Sequence, residues 1–475
     1  MIAERRASLA IAVLSLLAAL PALVATYPQM ADYPAHLARW HVMLNLDASA
    51  HLQRHYGFTW QWIPNLGADL MVWPLAKLFG LEAAGRVIAV LVPVLLAASL
   101  LTVDRVLHKR VGIGGLLALV TVWSPSVLMG FVNWGLGLAL AFFAFAGWVA
   151  FEGRRWRPHA FLVIAPLVWL CHLSAWGVLG VLVFGHEWQR RGFLAAIART
   201  WPLWPPALLT LLAGSGKGGT SWGDGVLVDK VSNWIMALRD QSAQLDLLTV
   251  VLLVGVAAIA WRQGRVDGRI GRAALIFAAL SLVMPRHLGG GDFADYRLVP
   301  VALACAVLAA RWNVPRWVLA AAAVPFVLRL ALTTTAWFAG SAQTAQMMAA
   351  VDQLPRGSVI AGARAEDPFA WSQGGSSHVF ALATVRRDAV TNSDFAVPGV
   401  HALTRIDGGP VDPSQRVLIA TGKSPDLSAF APARGADYLW YVGTTPPSAL
   451  PPGAQGVASG TGWRIARLAK VTPSR

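Results

Sequence analysis

Charge is scarce in this chain. Only 13% of its 475 residues are Asp, Glu, Lys or Arg, whereas 56% are hydrophobic. A soluble protein of this size carries about a quarter charged residues. The shortage argues against a large globular fold and predicts a polytopic membrane protein. Cysteine is nearly absent as well. Cys171 and Cys305 both sit in apolar runs, which excludes a disulfide framework and a paired-cysteine metal site. There is no P-loop, no G-x-S-x-G elbow and no H-E-x-x-H. Nothing therefore points to a nucleotide-driven enzyme. No nucleic-acid signature appears either. The net charge of +15 instead suggests basic cytoplasmic loops facing anionic headgroups.

What the chain has in abundance is apolar runs. Spans of roughly 20 residues are expected at 8–26, 82–103, 113–130, 132–151, 160–172, 173–186, 194–213, 246–261, 272–285, 297–310 and 317–337. A cleaved signal peptide ending near "LVATY" is the rival reading of the first run, although that run exceeds the usual ~7–15 residue apolar region. Arg5/Arg6, Arg105/Lys109/Arg110, Arg154/Arg155/Arg157, Arg190/Arg191, Arg262/Arg265/Arg269/Arg272 and Arg311/Arg316 all fall on one side. The positive-inside rule makes that side cytoplasmic and everything after about 338 external. Residues 160–186 are expected as a broken helix pair meeting near Cys171-His172-Leu173-Ser174, with the break buried in protein.

The expected external segments are 27–81, 214–245 and 338–475. In "PAHLARWHVMLNL", Pro34 suits a first helical turn. Leu37, Trp40, Met43 and Leu44 fall on one face and His36 and Arg39 opposite, which predicts a helix lying on the membrane surface. Residues 66–80 read similarly, and Trp60, Trp62 and Trp73 suit the interface. In the tail, "SVIAGAR", "HVFALATV", "RVLIATG", "DYLWYVG" and "WRIARLA" read as short β runs. "PRG", "DGGP" and "TTPPSALPPG" punctuate them. The fold expected is an α-helical polytopic membrane protein with about eleven transmembrane helices (residues 1–338) and a small C-terminal α/β extracytoplasmic domain (339–475).

Two outer loops concentrate ionisable groups. Asp32, just before a proline-started helix, reads either as an N-cap or as a catalytic carboxylate whose basicity is tuned at the membrane boundary. His36 lies one helical turn on. In "PRHLGGGDFADYRLVP" (285–300), Arg286, His287 and Arg297 are candidate phosphate ligands, because a guanidinium fork matches a phosphate. Asp292 and Asp295 would be their partners or metal ligands. Glycines 289–291 would let backbone approach a ligand closely. The bland alternative is a flexible loop with Arg297 snorkelling to headgroups. Asn133 and Trp134 flank a turn between spans. His172 lies inside an apolar run, either bonded to a neighbouring carbonyl or facing a cavity. Arg329, deep in the last span, is expected to snorkel.

One span, an outer loop with an early aspartate, surface helices, many further spans and an external tail: this order resembles the GT-C glycosyltransferase superfamily. "ADYPAHLARW", "IPNLGADLMVWPLAKLFG" and "FADYRLVP" carry the likeness to a group of bacterial GT-C-like proteins. The resemblance implies a bacterial inner-membrane enzyme that uses a polyprenyl-phosphate-linked sugar as donor. Asp32 would be the general base that activates an acceptor hydroxyl. His36, Asn133, His172, Arg286, His287, Asp295 and Arg297 would bind substrate, with Arg286, His287 and Arg297 on the leaving phosphate. Asp32 is followed by Tyr33 rather than a second carboxylate, so no paired acidic motif supports a divalent metal, and no cofactor is implied. The alternative is a non-catalytic scaffold or a lipid-linked glycan transport component. Under the catalytic reading, Asp32 and Arg297 should line one water-accessible hollow.

Overall fold

The computed structural model describes residues 2–212, 219–289, 291–372, 374–375, 377–396, 400–406 and 417–469. They form two compact units. The first comprises Met1–Leu23, Trp62–Met71 and Val87–Thr335, and the second Val24–Gln61, Val72–Arg86 and Ala336–Arg475.

The first unit is helical. Four helices of the described chain are long and apolar enough to cross a membrane: Leu81–His108, Val132–Ala150, Ala243–Arg262 and Arg316–Val351. Most of the Val132–Ala150 helix is buried, with Trp134, Phe142, Phe145 and Trp148 all inaccessible, and only the Leu140, Phe143, Gly147 and Ala150 face stays open. The Ala243–Arg262 helix instead presents Leu248, Val251, Val254 and Ile259 outward. An apolar outer face of this kind is matched by hydrocarbon rather than by water.

Several expected spans take another form. Residues 113–130 break into Ile113–Ala118, a 3-10 turn at Leu119–Thr121, and Pro125–Leu128. Gly114 and Gly115 weaken the first piece, and Pro125 can only begin a new helix. Residues 194–213 divide likewise into Phe193–Arg199, Trp201–Leu203 and Pro205–Leu212. Pro202, Pro205 and Pro206 interrupt the backbone ladder there. The break expected near Cys171 is present. His172 is extended (φ −165°, ψ 131°) between the Arg157–Cys171 and Leu173–Arg191 helices. Arg329 does not snorkel. It is buried and paired with Asp246, and with Asp240 at 3.9 Å. Two carboxylates on facing elements hold the guanidinium inside, because an unpaired buried charge would be far costlier.

The second unit is built on a sheet in which Val359–Glu366 is central. It pairs in parallel with Val390–Thr391 and Leu418–Ala420 on one edge and Tyr438–Val442 on the other. Trp463–Arg467 and Gln455–Gly460 continue the sheet antiparallel. Four of the five expected β runs are thus strands. The fifth, "HVFALATV", is instead a 3-10 turn running into the Leu382–Arg387 helix. Its Ala and Leu content favours a helix, and three of the helix's residues are buried. The "DGGP" turn lies outside the described residues.

The Tyr33–Asn45 helix belongs to this unit and is not a surface helix. Nine of its residues are buried, His36 and Arg39 among them. Tail residues cover the face expected to meet water: Phe395 packs against His36, and Ala381 clusters with Ala35 and Ala38. Tyr56–Phe58 pairs antiparallel with Leu403–Arg405, which ties the first loop to the tail.

Candidate functional site

The residues singled out in the sequence divide between the two units, and each group is described within its own.

In the second unit, Asp32 stands at the N-cap of the Tyr33–Asn45 helix with Pro34 in the first turn. Its backbone is helical (φ −90°, ψ −9°) and its side chain makes no capping hydrogen bond. An N-cap that works through its side chain is usually extended, so this geometry leaves the carboxylate turned to other partners. One of them is His378, whose Nε2 lies 3.6 Å from Asp32 Oδ1. Both side chains keep partial access to solvent, 17% for Asp32 and 25% for His378. His378 Nδ1 lies 3.1 Å from the Ser393 carbonyl oxygen and 3.0 Å from its hydroxyl. A carbonyl only accepts, so Nδ1 carries the proton and Nε2 presents a lone pair toward Asp32.

Phe395 organises the surroundings. The His378 and His36 rings meet its edge or face at 5.0 and 5.2 Å, and His401 stacks on it at 5.2 Å and 10°. Arg39 Nη2 lies 3.3 Å from His36 Nδ1. Arginine only donates, so His36 accepts there and carries its proton on Nε2. Burial pushes His378 down to about 4, helped by the Arg364 charge and opposed by the Ser393 hydrogen bond. Burial, then the Arg39 charge, push His401 well below the usual imidazole range. Neutral imidazoles beside a carboxylate make a proton-accepting site. A hydroxyl placed between Asp32 and His378 would meet two acceptors and no competing donor from that pair. Sequence reading chose Asp32 and His36 but passed over His378, His401 and Phe395, because nothing local marks them.

In the first unit, Arg297 stands at the N-cap of the Leu298–Leu308 helix, largely buried. Its Nη1 lies 2.8 Å from His172 Nε2, and its guanidinium covers the Phe131 and Trp134 rings at 4.3 and 5.9 Å. His172 Nδ1 accepts from the Ser174 backbone N–H at 3.1 Å. Donors therefore face both ring nitrogens, and a neutral imidazole accepts at only one. An acceptor brought to this pair would resolve the conflict: Nδ1 would keep its cap while Nε2–H and Arg297 both donated to the newcomer.

The remaining candidates take structural or peripheral places. Asp295 is buried. Its Oδ2 accepts from Lys230 Nζ at 2.5 Å and Asn233 Nδ2 at 2.9 Å, and its Oδ1 from the Tyr296 N–H. It anchors the loop, and Lys230, which sequence reading missed, is its counter-charge. Asn133 accepts from the Ala68 N–H at 2.6 Å and donates to the Asn65 carbonyl at 2.7 Å, fixing the start of the Gly67–Phe79 helix. Arg286 stacks on Phe293 at 4.5 Å and lies 3.6 Å from both Asp229 and Asp292. His287 reaches Asp292 at 3.1 Å. Both remain partly exposed. Gly290 lies outside the described residues. Among the described residues no cluster of His, Cys, Asp or Glu has the arrangement of a metal site. No family model, curated protein or solved structure matches the chain.

Proposed function

We propose that this chain is a membrane-embedded glycosyltransferase of the GT-C kind. It moves a sugar from a polyprenyl-phosphate donor to an acceptor hydroxyl on the extracytoplasmic side of a bacterial inner membrane. In this reading the N-terminus is cytoplasmic, about eleven segments cross or enter the bilayer, and the C-terminal sheet domain is external. Asp32 removes the proton from the acceptor hydroxyl. The oxygen attacks the anomeric carbon, the bond from that carbon to the phosphate oxygen breaks, and polyprenyl phosphate leaves as the anion. Within the first unit, Arg297, with its fork of donors, and the more exposed Arg286 and His287 are the groups we assign to phosphate.

The observation that carries the proposal is the Asp32 side chain: placed at a helix N-cap, not spent on the cap, and 3.6 Å from the His378 nitrogen that offers a lone pair. A general base of this kind contributes about 10²–10⁴-fold to rate. Asp32→Asn, assayed in membranes for transfer from a polyprenyl-phosphate sugar, should lose at least about a hundredfold in kcat with unchanged expression and melting temperature. Transfer at the wild-type rate would remove Asp32 from the role.

A further inference from the structure

We infer a second ligand site, independent of the proposed transferase chemistry: a basic cavity at one end of the first unit that holds a phosphate group. Its volume is about 320 Å³. Three separate loop ends line it, around Lys109 and Arg110, around Asp267 and Arg269, and around Arg311. The positive-inside rule assigns all three ends to the cytoplasmic side.

The charges in the cavity do not cancel. Its two carboxylates are already engaged. Asp104 accepts from the Gly112 N–H at 2.6 Å and pairs with His108 Nδ1 at 2.8 Å. Asp267 is forked by Arg269, at 3.0 Å from Nε and 2.6 Å from Nη2. Lys109, Arg110 and Arg311 remain as cations without a carboxylate partner among the described residues. Arg110 donates to the Trp312 carbonyl and Arg311 to the Val266 carbonyl, so both are held in place with further donors to offer. His108 is turned to the same two carboxylates, with Nδ1 on Asp104 and Nε2 3.9 Å from Asp267 Oδ2, so the anion is left to Lys109, Arg110 and Arg311. A compact anion with several acceptor oxygens fits this set, and arginine forks suit phosphate in particular. Basic pockets between helices at the cytoplasmic boundary characteristically receive lipid headgroups, and Trp312 in the wall gives an interfacial aromatic at the right place.

Lys109 has a further feature. Its φ is 62°, a left-handed conformation that lysine adopts only under strain. Glycine would sit there without strain, so Lys109→Gly removes the charge while favouring the same backbone.

The test uses the full chain in dodecyl maltoside, with native mass spectrometry against dioleoyl phosphatidic acid in mixed micelles and against inorganic phosphate. Wild type should retain phosphatidic acid. Lys109→Gly and Arg311→Ala should each weaken retention roughly fivefold, the worth of about one cation at a lipid surface. Lys109→Gly should melt no lower than wild type, which separates binding from folding. Arg154→Ala/Arg155→Ala, a basic pair not lining the cavity, should change nothing. Competition by inorganic phosphate would identify a free phosphate as the natural occupant, and its failure to compete a lipid headgroup. Wild-type retention in Lys109→Gly and Arg311→Ala, equal loss in the Arg154/Arg155 variant, or no retention by wild type would each overturn the site.

Discussion

Asp32 Oδ1 lies 3.6 Å from His378 Nε2, and the Ser393 carbonyl on the far side of the imidazole decides which nitrogen bears the proton. A residue in the first loop and one in the tail thus form a unit whose properties belong to neither segment alone. Phe395 extends it by gathering His36 and His401 onto the same aromatic ring. The burial that depresses His378 also makes its protonation a folding variable.

The pH dependence of stability follows from that burial. His378 titrates at about 4 when folded and near 6.5 when unfolded. Between those values the unfolded chain binds the proton and the folded chain does not, so stability falls as pH drops. Its contribution is complete above about pH 6.5, declines through the interval, and is fully lost below about pH 4, for a total on the order of 3 kcal/mol. His401 adds a slope of the same sign. Melting temperatures in detergent from pH 7 to 4 should therefore descend steadily. His378→Gln, which can still donate to Ser393 but does not titrate, should flatten that descent; an unchanged slope would remove His378 as its source.

Arg329 holds two acidic residues, Asp246 and Asp240, within the first unit. Thr333 donates to Asp240 at 2.5 Å from the same helix. Arg329→Met leaves that acidic pair without its cation and should cost about 3–5 kcal/mol. Adding Asp246→Leu removes one stranded charge and should recover part of the loss. Thermal unfolding of the single and double variants in detergent measures both. A double variant no better than the single one would show that the guanidinium contributes through packing rather than through charge.

Long apolar helices such as Val132–Ala150 and Ala243–Arg262 were legible because apolar composition over many residues is a local property, whereas the runs at 113–130 and 194–213 hid breaks at their glycines and prolines. The His172 break was legible for the same reason: a run too long for one span and too short for two leaves few solutions. The Tyr33–Asn45 helix was misread because its His36 and Arg39 look like a wet face until Phe395 and the other covering residues arrive from far along the chain. Asp32 could be chosen from its place before Pro34, but His378 could not, since its meaning lies in a contact across most of the sequence. Arg329 carried no local mark of Asp240 or Asp246. Residues whose chemistry depends on sequence-distant partners are the ones that pattern and period leave silent.

Asn133 joins the Val132–Ala150 helix to the first loop through two bonds of its amide, one received from Ala68 and one given to Asn65. Gly67 lies so close to Cys171 that an added Cβ would sit 2.7 Å from Sγ. Asn133→Leu removes both amide bonds and leaves buried backbone groups unpaired, at about 1–3 kcal/mol each. Hydrogen exchange should accelerate at Leu66–Leu70 and spare the Val132–Ala150 helix. Uniform acceleration across the first unit would mean that Asn133 supports global folding instead of this local clamp.

His172 performs two tasks that substitution can separate. Its Nδ1 caps the Leu173–Arg191 helix through Ser174, and its Nε2 meets Arg297. Asparagine is a strong N-cap residue with a shorter reach. His172→Asn should therefore keep the cap and abandon Arg297, whereas His172→Ala gives up both and should lose about 1 kcal/mol more through the cap alone. If Arg297 serves the donor phosphate, His172→Asn should alter KM for the lipid-linked donor with little change in melting temperature. Arg297→Ala should lower kcat/KM by roughly 30- to 150-fold, the loss expected for about 2–3 kcal/mol of charge stabilisation. Arg297→Lys keeps the charge but not the fork, and should recover only a part. Full recovery by lysine would show that a point charge suffices and that the paired donors of the guanidinium have no part in holding the phosphate.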